Sequence, residues 1–312
     1  MQKIIVTGAT GQIGSELVLA LRHEYGEKEV IAIGHSKPAV GDLTNGPFES
    51  VDVTDKIAFD KLVEKYQPDT IFHLVGILSA TGEKNPDLAW NVNIGGLKNV
   101  LDIARDRGVK KVFWPSSIAA FGPTTPRNYT PQHTILEPTT IYGTTKVAGE
   151  LLCQYYFHKF GLDVRSLRYP GLISYKTPPG GGTTDYAVAI YFDAIKQKSY
   201  DCFVNSDTVL PMMYMPDAVR ATIELMETPS ENISIRTSYN LTAMSFSVSE
   251  LVASITKFIP DFTCTYHPDS RQQIADSWPN SIDDSQARAD WQWQHNFDLE
   301  KMTVDMLKNI HI

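Results

Sequence analysis

Lys3-Ile4-Ile5-Val6-Thr7-Gly8-Ala9-Thr10-Gly11-Gln12-Ile13-Gly14 decides the fold. The apolar run to Thr7, stopped by glycine, reads as a short buried strand. From Gln12 to Tyr25 the apolar residues Ile13, Leu17, Ala20 and Leu21 fall on one helical face. Between strand and helix stands Gly-x-x-Gly-x-x-Gly, and that context separates a dinucleotide turn from a chance glycine triplet. Gly8 serves the tight turn, Gly11 lets backbone approach a pyrophosphate, and Gly14 lets helix and strand pack closely. Gln12 and Ile13 open the helix, where free amides and the positive end of the helix dipole favour an anion.

Outward from this unit the alternation continues. Further strands are predicted at Val30–Ile33, Phe48–Val53, Thr70–Val75, Lys111–Trp114 and Asp163–Tyr169. Helices are predicted at Lys56–Tyr66, at Asp87–Arg107 with Gly108 as its stop, and at Tyr142–Phe160. Such alternation means an α/β fold, a doubly wound parallel sheet of Rossmann type with helices on both faces. The second half is less regular. Thr177–Thr184 is a loop by composition, followed by a helix at Asp185–Lys198, a strand at Pro211–Met215 and a helix at Asp217–Met226. Then come a segment Val248–Phe258 and a short strand at Phe262–Tyr266. The expected layout is a dinucleotide-binding domain over residues 1–170 and a smaller substrate lobe over 171–312, with segments near 205–243 returning to the first domain. The crevice between them is the expected active site.

Bulk composition narrows the partners. The formal charge of −8 disfavours nucleic acid and anionic membrane surfaces. Cys153, Cys202 and Cys264 are scattered and form no Cys-x-x-Cys, which points to a reduced, cytoplasmic setting. No His-x-x-x-His pair occurs, so no metal site is expected. His73, inside an apolar run, is expected to be a satisfied core histidine. There is neither a basic start with an apolar stretch nor an 18-residue apolar window, so no signal peptide and no membrane span are expected.

Two groups in the ribose region are informative. An acid is expected at the end of strand two to hold the ribose hydroxyls, yet Gly34, His35 and Ser36 stand there, with Lys37 the nearest cation. A carboxylate that would repel a 2′-phosphate is therefore missing. Asp52, followed by Val53, is a candidate acceptor for the adenine amino group or else a capping acid. Leu74 after strand four, and Tyr169 and Pro170 after strand six, complete the candidate cofactor-contacting set together with Lys146.

The chemistry centres on Tyr142-x-x-x-Lys146 with Ser117 upstream. Oxidising a secondary alcohol removes a hydroxyl proton and passes a hydride to a nicotinamide. Tyrosine titrates near ~10, and a lysine four residues on shares its helix face. Its ammonium and a cationic nicotinamide would both favour phenolate. Bringing the phenol near neutrality corresponds to roughly 4 kcal/mol. Ser117 would hold the substrate oxygen, and Lys146 would also reach the nicotinamide ribose.

With these residues in view, the chain resembles the extended short-chain dehydrogenases/reductases. The resemblance is carried by the glycine turn, Asp52-Val53, Asn93-Ile-Gly-Gly-Leu-Lys-Asn99, Pro115-Ser-Ser-Ile-Ala-Ala-Phe-Gly122, Tyr142-x-x-x-Lys146, Arg168-Tyr169-Pro170 and Asp284-Ser-Gln-Ala-Arg288. It implies Ser117, Tyr142 and Lys146 as catalytic residues and Asn93 in a fourth catalytic position. Longer strings are similar to the short-chain-type L-threonine 3-dehydrogenases: Phe113 to Pro126, Tyr169 to Ser174, Pro178 to Ala187 and Ile274 to Pro279. That resemblance implies NAD as cofactor and oxidation of the threonine side-chain hydroxyl to 2-amino-3-oxobutanoate. The alternative is a nucleotide-sugar epimerase or dehydratase on the same scaffold, which resembles its relatives in an Arg-x-x-Asn segment; here Gly171 replaces the asparagine.

A zwitterionic amino acid must have partners for both charges once buried. Gly181, Thr183 and Thr184 can offer amides and hydroxyls to a carboxylate ahead of a helix N-terminus. Ser79, Ser117 and Tyr142 are expected near the reacting hydroxyl, and Trp278 as an apolar wall. The helices at Asp87–Arg107 and Tyr142–Phe160 resemble the family's dimer-forming pair, which implies a homodimer.

Overall fold

The structure, a computed structural model, describes residues 1–311. The first half contains strands β1 (Ile4–Thr7), β2 (Val30–Gly34), β3 (Phe48–Ser50), β4 (Thr70–His73), β5 (Lys111–Ser117) and β6 (Asp163–Tyr169). Helices α1 (Gln12–Tyr25), α2 (Lys56–Tyr66), α3 (Ser79–Lys84), α4 (Pro86–Trp90), α5 (Gly96–Asp106) and α6 (Ile141–Phe160) connect them. The second half adds β7 (Gly171–Ile173), α7 (Tyr186–Gln197), β8 (Ser199–Cys202), β9 (Val209–Tyr214), α8 (Met215–Glu227), β10 (Tyr239–Asn240), β11 (Met244–Ser247), α9 (Val248–Thr256) and β12 (Thr263–Tyr266). Three helices close the chain: α10 (Ser270–Asp276), α11 (Ser285–Trp291) and α12 (Leu299–Asn309).

Seven parallel strands form the main sheet in the order β10-β6-β5-β4-β1-β2-β3. Successive side chains of a strand point to opposite faces, and here both faces are buried. Ile4, Val6, Ala32, Phe72, Phe113 and Leu167 pack with α1 and α8 on one side. Ile5, Ile31, Ile71, Val112, Trp114 and Val164 pack under α2, α5 and α6 on the other. This explains the near-continuous apolar runs, which are what a doubly covered parallel sheet demands. A second core, with Tyr191, Tyr214, Phe246 and Leu251, fills the lobe around the small sheet β11-β9-β7 and the pair β12-β8.

Several boundaries differ from expectation. The helix predicted over Asp87–Arg107 is interrupted: α4 gives way to a π turn over Asn91–Gly95 before α5 begins. Strand three ends at Ser50 rather than Val53, because Asp52 folds back to accept the Thr54 amide (2.9 Å) and hydroxyl (2.8 Å). The helix α3 was not predicted. Its sequence Ser-Ala-Thr-Gly-Glu-Lys has no apolar period, and it is held by packing. A Cβ at Gly82 would lie only 3.2 Å from Ile141 at the start of α6. The two- to four-residue strands β7, β8, β10 and β11 are too short for a period to register.

Candidate active site

At the carboxyl end of β1 the chain turns through Gly8 with φ +71°. A Cβ there would sit 3.0 Å from the Leu74 carbonyl carbon, and one at Gly14 only 2.2 Å from the Gly8 oxygen. The Gly11 amide donates to the Gly8 carbonyl (2.9 Å), and no side chain caps α1. The following amides, those of Gln12, Ile13 and Gly14, therefore face outward at the positive end of the helix, in a cradle that only backbone can line. A dinucleotide pyrophosphate fits it by size and by charge.

From this turn a groove runs over Ile33, Gly34, His35, Ser36 and Lys37 at the end of β2, with Asp52 and Val53 opposite and Leu74 at its floor. One oxygen of Asp52 is bound by Thr54, and the other lies 3.7 Å from His35 Nε2. Desolvation works to raise the Asp52 carboxyl, but the two Thr54 hydrogen bonds and His35 hold it below its usual value. Beyond Leu74 the groove opens into a cavity of about 160 Å³. Gln12, Ile13, Tyr169 and Pro170 line its near side, and Ser117, Tyr142 and Lys146 its back.

Helix α6 positions the reactive pair. The Thr140 side chain accepts the Gly143 amide (3.0 Å) at its start, and Gly149 lets it lie directly on β5, since a Cβ there would be 2.3 Å from the Trp114 ring. Lys146 Nζ then donates to the Pro115 carbonyl (2.6 Å), 4.5 Å from the Trp114 ring centre and 5.2 Å from that of Tyr142. Burial pulls the lysine down to about 7, with Glu150 opposing. Glu150 is itself committed to Arg168 (2.7 Å) and to the Ser116 hydroxyl (2.5 Å), which fixes the strand end carrying Ser117. Burial pushes the Tyr142 phenol up to about 12, and a hydrogen bond with Ser117 pulls the other way. In the chain alone desolvation therefore outweighs Ser117, so a phenol brought near neutrality needs the positive charge of the nicotinamide expected beside it as well as Lys146.

Asn93, expected as a helper, lies outside the cavity lining. Its Oδ1 accepts the Ile77 amide (2.7 Å), while Nδ2 donates to the Ile77 carbonyl (3.1 Å) and to Thr145 Oγ1 (3.0 Å), tying the segment after β4 to α6. His73 is fully buried and shares a 2.7 Å hydrogen bond with Thr7, yet its Nε2 has no partner, so it is only half satisfied. Burial holds it neutral, down to about 3.

On the lobe side Ser79, Thr183, Thr184 and Trp278 line the same cavity. Gly181 does not; Gly182 takes its place. The amides of both glycines are engaged by Asp185 Oδ2, at 2.6 and 2.8 Å. Asp185 was not singled out in the sequence, where it reads as the first residue of a helix. Among the described residues it is the one acid lining the cavity, as Lys146 is the one lysine. Thr183 lines the cavity, and its hydroxyl is buried with no hydrogen-bond partner. At Gly171 a Cβ would meet Met212 Sδ at 2.3 Å and Thr184 Cγ2 at 2.8 Å, so no side chain fits there.

Known proteins resemble the chain along nearly its whole length. An uncharacterized epimerase/dehydratase of Staphylococcus saprophyticus is 53% identical, over 99% of this chain and 97% of its own. The holo form of a GalE-like L-threonine dehydrogenase from Cupriavidus necator is 52% identical, covers 99% of this chain and 100% of its own, and superposes with a TM-score of 0.97. A monomeric L-threonine 3-dehydrogenase from a metagenome, in apo form, is 50% identical over 98% of each chain, with a TM-score of 0.95. The model of the NAD dependent epimerase/dehydratase family matches residues 4–241. The chain belongs to that family, the extended short-chain dehydrogenases/reductases.

Proposed function

We propose that this protein oxidises the side-chain hydroxyl of L-threonine to 2-amino-3-oxobutanoate, with NAD as the hydride acceptor. One observation carries the reading. The cavity that holds Ser117, Tyr142 and Lys146 also holds partners for both ends of a small zwitterion. Asp185 suits the ammonium. The unpartnered Thr183 hydroxyl and Thr184 suit the carboxylate, joined by the Gly182 amide once Asp185 turns to the ammonium.

Bound NAD would supply the hydride acceptor and a positive charge beside the phenol. The chain's own residues would do the rest. Tyr142 Oη, as a phenolate favoured by that charge and by Lys146, would take the hydroxyl proton as the carbon-bound hydrogen leaves with its electron pair. Ser117 holds the reacting oxygen by a hydrogen bond. Lys146 secures the nicotinamide ribose and adds charge near the phenol. Trp278 and Leu78 exclude water from above. The filled position at Gly171 leaves no room for the asparagine that would hold a sugar nucleotide, which favours a small substrate.

The direct test is the absorbance of reduced cofactor after mixing protein and NAD with L-threonine, L-allo-threonine, L-serine or a UDP-sugar. Reduction with L-threonine well above the others is expected. Turnover of the UDP-sugar without L-threonine oxidation would replace this reading with an epimerase. We further propose a reduced cytoplasmic setting, since all three cysteines are unpaired, and a homodimer.

A further inference from the structure

We propose that the adenosine end of the groove accepts a 2′-phosphorylated ribose, so that the protein uses NADP as well as NAD. The proposal rests on the dinucleotide reading of the site but goes beyond it. A carboxylate at the end of strand two holds ribose hydroxyls and repels a 2′-phosphate, whereas a cation there receives it. In this chain the carboxylate is absent from the strand end, where a side chain would be crowded. A Cβ on Gly34 would meet the Phe48 ring at 2.7 Å and the Lys37 carbonyl at 3.1 Å. The strand end is rigidly set: the Gly34 carbonyl accepts the Val51 amide (2.9 Å) and the His35 carbonyl accepts the Ser50 hydroxyl (2.9 Å).

From that fixed stem His35, Ser36 and Lys37 line the groove, all exposed. Lys37 pairs with no acid among the described residues, and Ser36 offers a free hydroxyl. The groove's one acid, Asp52, is turned away from this role. Thr54 occupies one of its oxygens, and His35 faces the other. A phosphate here meets an ammonium, a hydroxyl and an imidazole, the last lying 3.7 Å from the groove's carboxylate, Asp52.

The test uses adenosine 2′,5′-bisphosphate and AMP as probes, with affinities measured by calorimetry in the absence of substrate. The bisphosphate is expected to bind the wild-type protein at least as tightly as AMP. Lys37→Ala should weaken the bisphosphate about tenfold and leave AMP unchanged, as loss of one charge-assisted contact implies. His35→Asp places a carboxylate in the groove without touching Phe48, and should also weaken only the bisphosphate, by about tenfold or more. Salt should weaken the bisphosphate more steeply than AMP. Bisphosphate binding tenfold weaker than AMP in the wild type would overturn the proposal, as would equal responses of both probes to Lys37→Ala. Binding of neither probe would overturn the dinucleotide site itself. A protein that binds both probes as expected but fails to oxidise L-threonine with either cofactor would leave this proposal standing and remove the substrate assignment.

Discussion

Tyr142 sits in surroundings that raise its phenol to about 12, with Ser117 as the one neighbour that lowers it. Tyr142→Phe is expected to lower turnover at least a hundredfold, on the scale of a lost general base, while dinucleotide still binds. Near-normal turnover would remove Tyr142 from the mechanism. In Ser117→Ala the lowering hydrogen bond is gone, so the alkaline-rising limb of kcat should move to higher pH as turnover falls. A limb that stays in place would separate Ser117 from the phenol. His73 makes a different statement, about stability. Its folded pKa, near 3, lies below the ordinary value of 6.5, so the unfolded chain binds a proton that the native state refuses. Stability is therefore full above pH 6.5 and is lost as pH falls towards 3, by up to roughly 1.4 kcal/mol per pH unit from this group. The fall in melting temperature between pH 7 and 5 should shrink in His73→Gln; an unchanged fall would show that another group carries it. Tyr142, Lys146 and Ser117 were legible because chemistry fixes their spacing on one helix and one strand end. Asp185 was not, since a lone aspartate before a helix looks the same whether it caps a loop or faces a ligand.

The loop between β7 and α7 shows how much of an element can hide in its composition. Pro178-Pro-Gly-Gly-Gly182 reads as irregular, and it is, but its amides are already ordered by Asp185. The glycines permit the turn, with Gly181 at φ +94°, and the acid at the helix start closes it. Loops of this composition are suited to movement during turnover. Thr184→Ala and Trp278→Ala are expected to raise the L-threonine KM at least tenfold with NAD affinity little changed, because both line the lobe side of the cavity. Steady-state kinetics with separate cofactor titration decides this, and a wild-type KM in both variants would move the amino-acid pocket elsewhere. The π turn before α5 was equally hidden. One residue of extra winding leaves no trace in an apolar period, yet it accompanies an Asn93 that faces Ile77 and Thr145, and such turns are frequent at functional sites.

Across the whole molecule, apolar side chains stay exposed on two helices that pack side by side. They are Leu88 and Trp90 on α4, and Leu151, Tyr155 and Phe160 on α6. A homodimer through these helices is expected, and a double change, Trp90→Glu with Tyr155→Glu, should yield monomers. A monomeric mass for the wild type in solution scattering at micromolar concentration would contradict it. Five of the sheet's first six strands could be read from sequence as buried runs between turn signals, while the half-buried β3 was read too long. The seventh could not, because β10 contributes only Tyr239 and Asn240. That late strand completes an early structure: Asn240 Oδ1 accepts from Arg168 Nη1 (3.0 Å), beside the Arg168–Glu150 pair, and its backbone lies against β6. On the ribosome, β6 therefore emerges with an open edge and with Arg168 holding its Glu150 and Gln132 partners but lacking Asn240. It waits on the order of ten seconds of elongation before residue 240 arrives to cover them. The nascent chain is most vulnerable to mispairing in that interval, which falls after the last catalytic residue has been made.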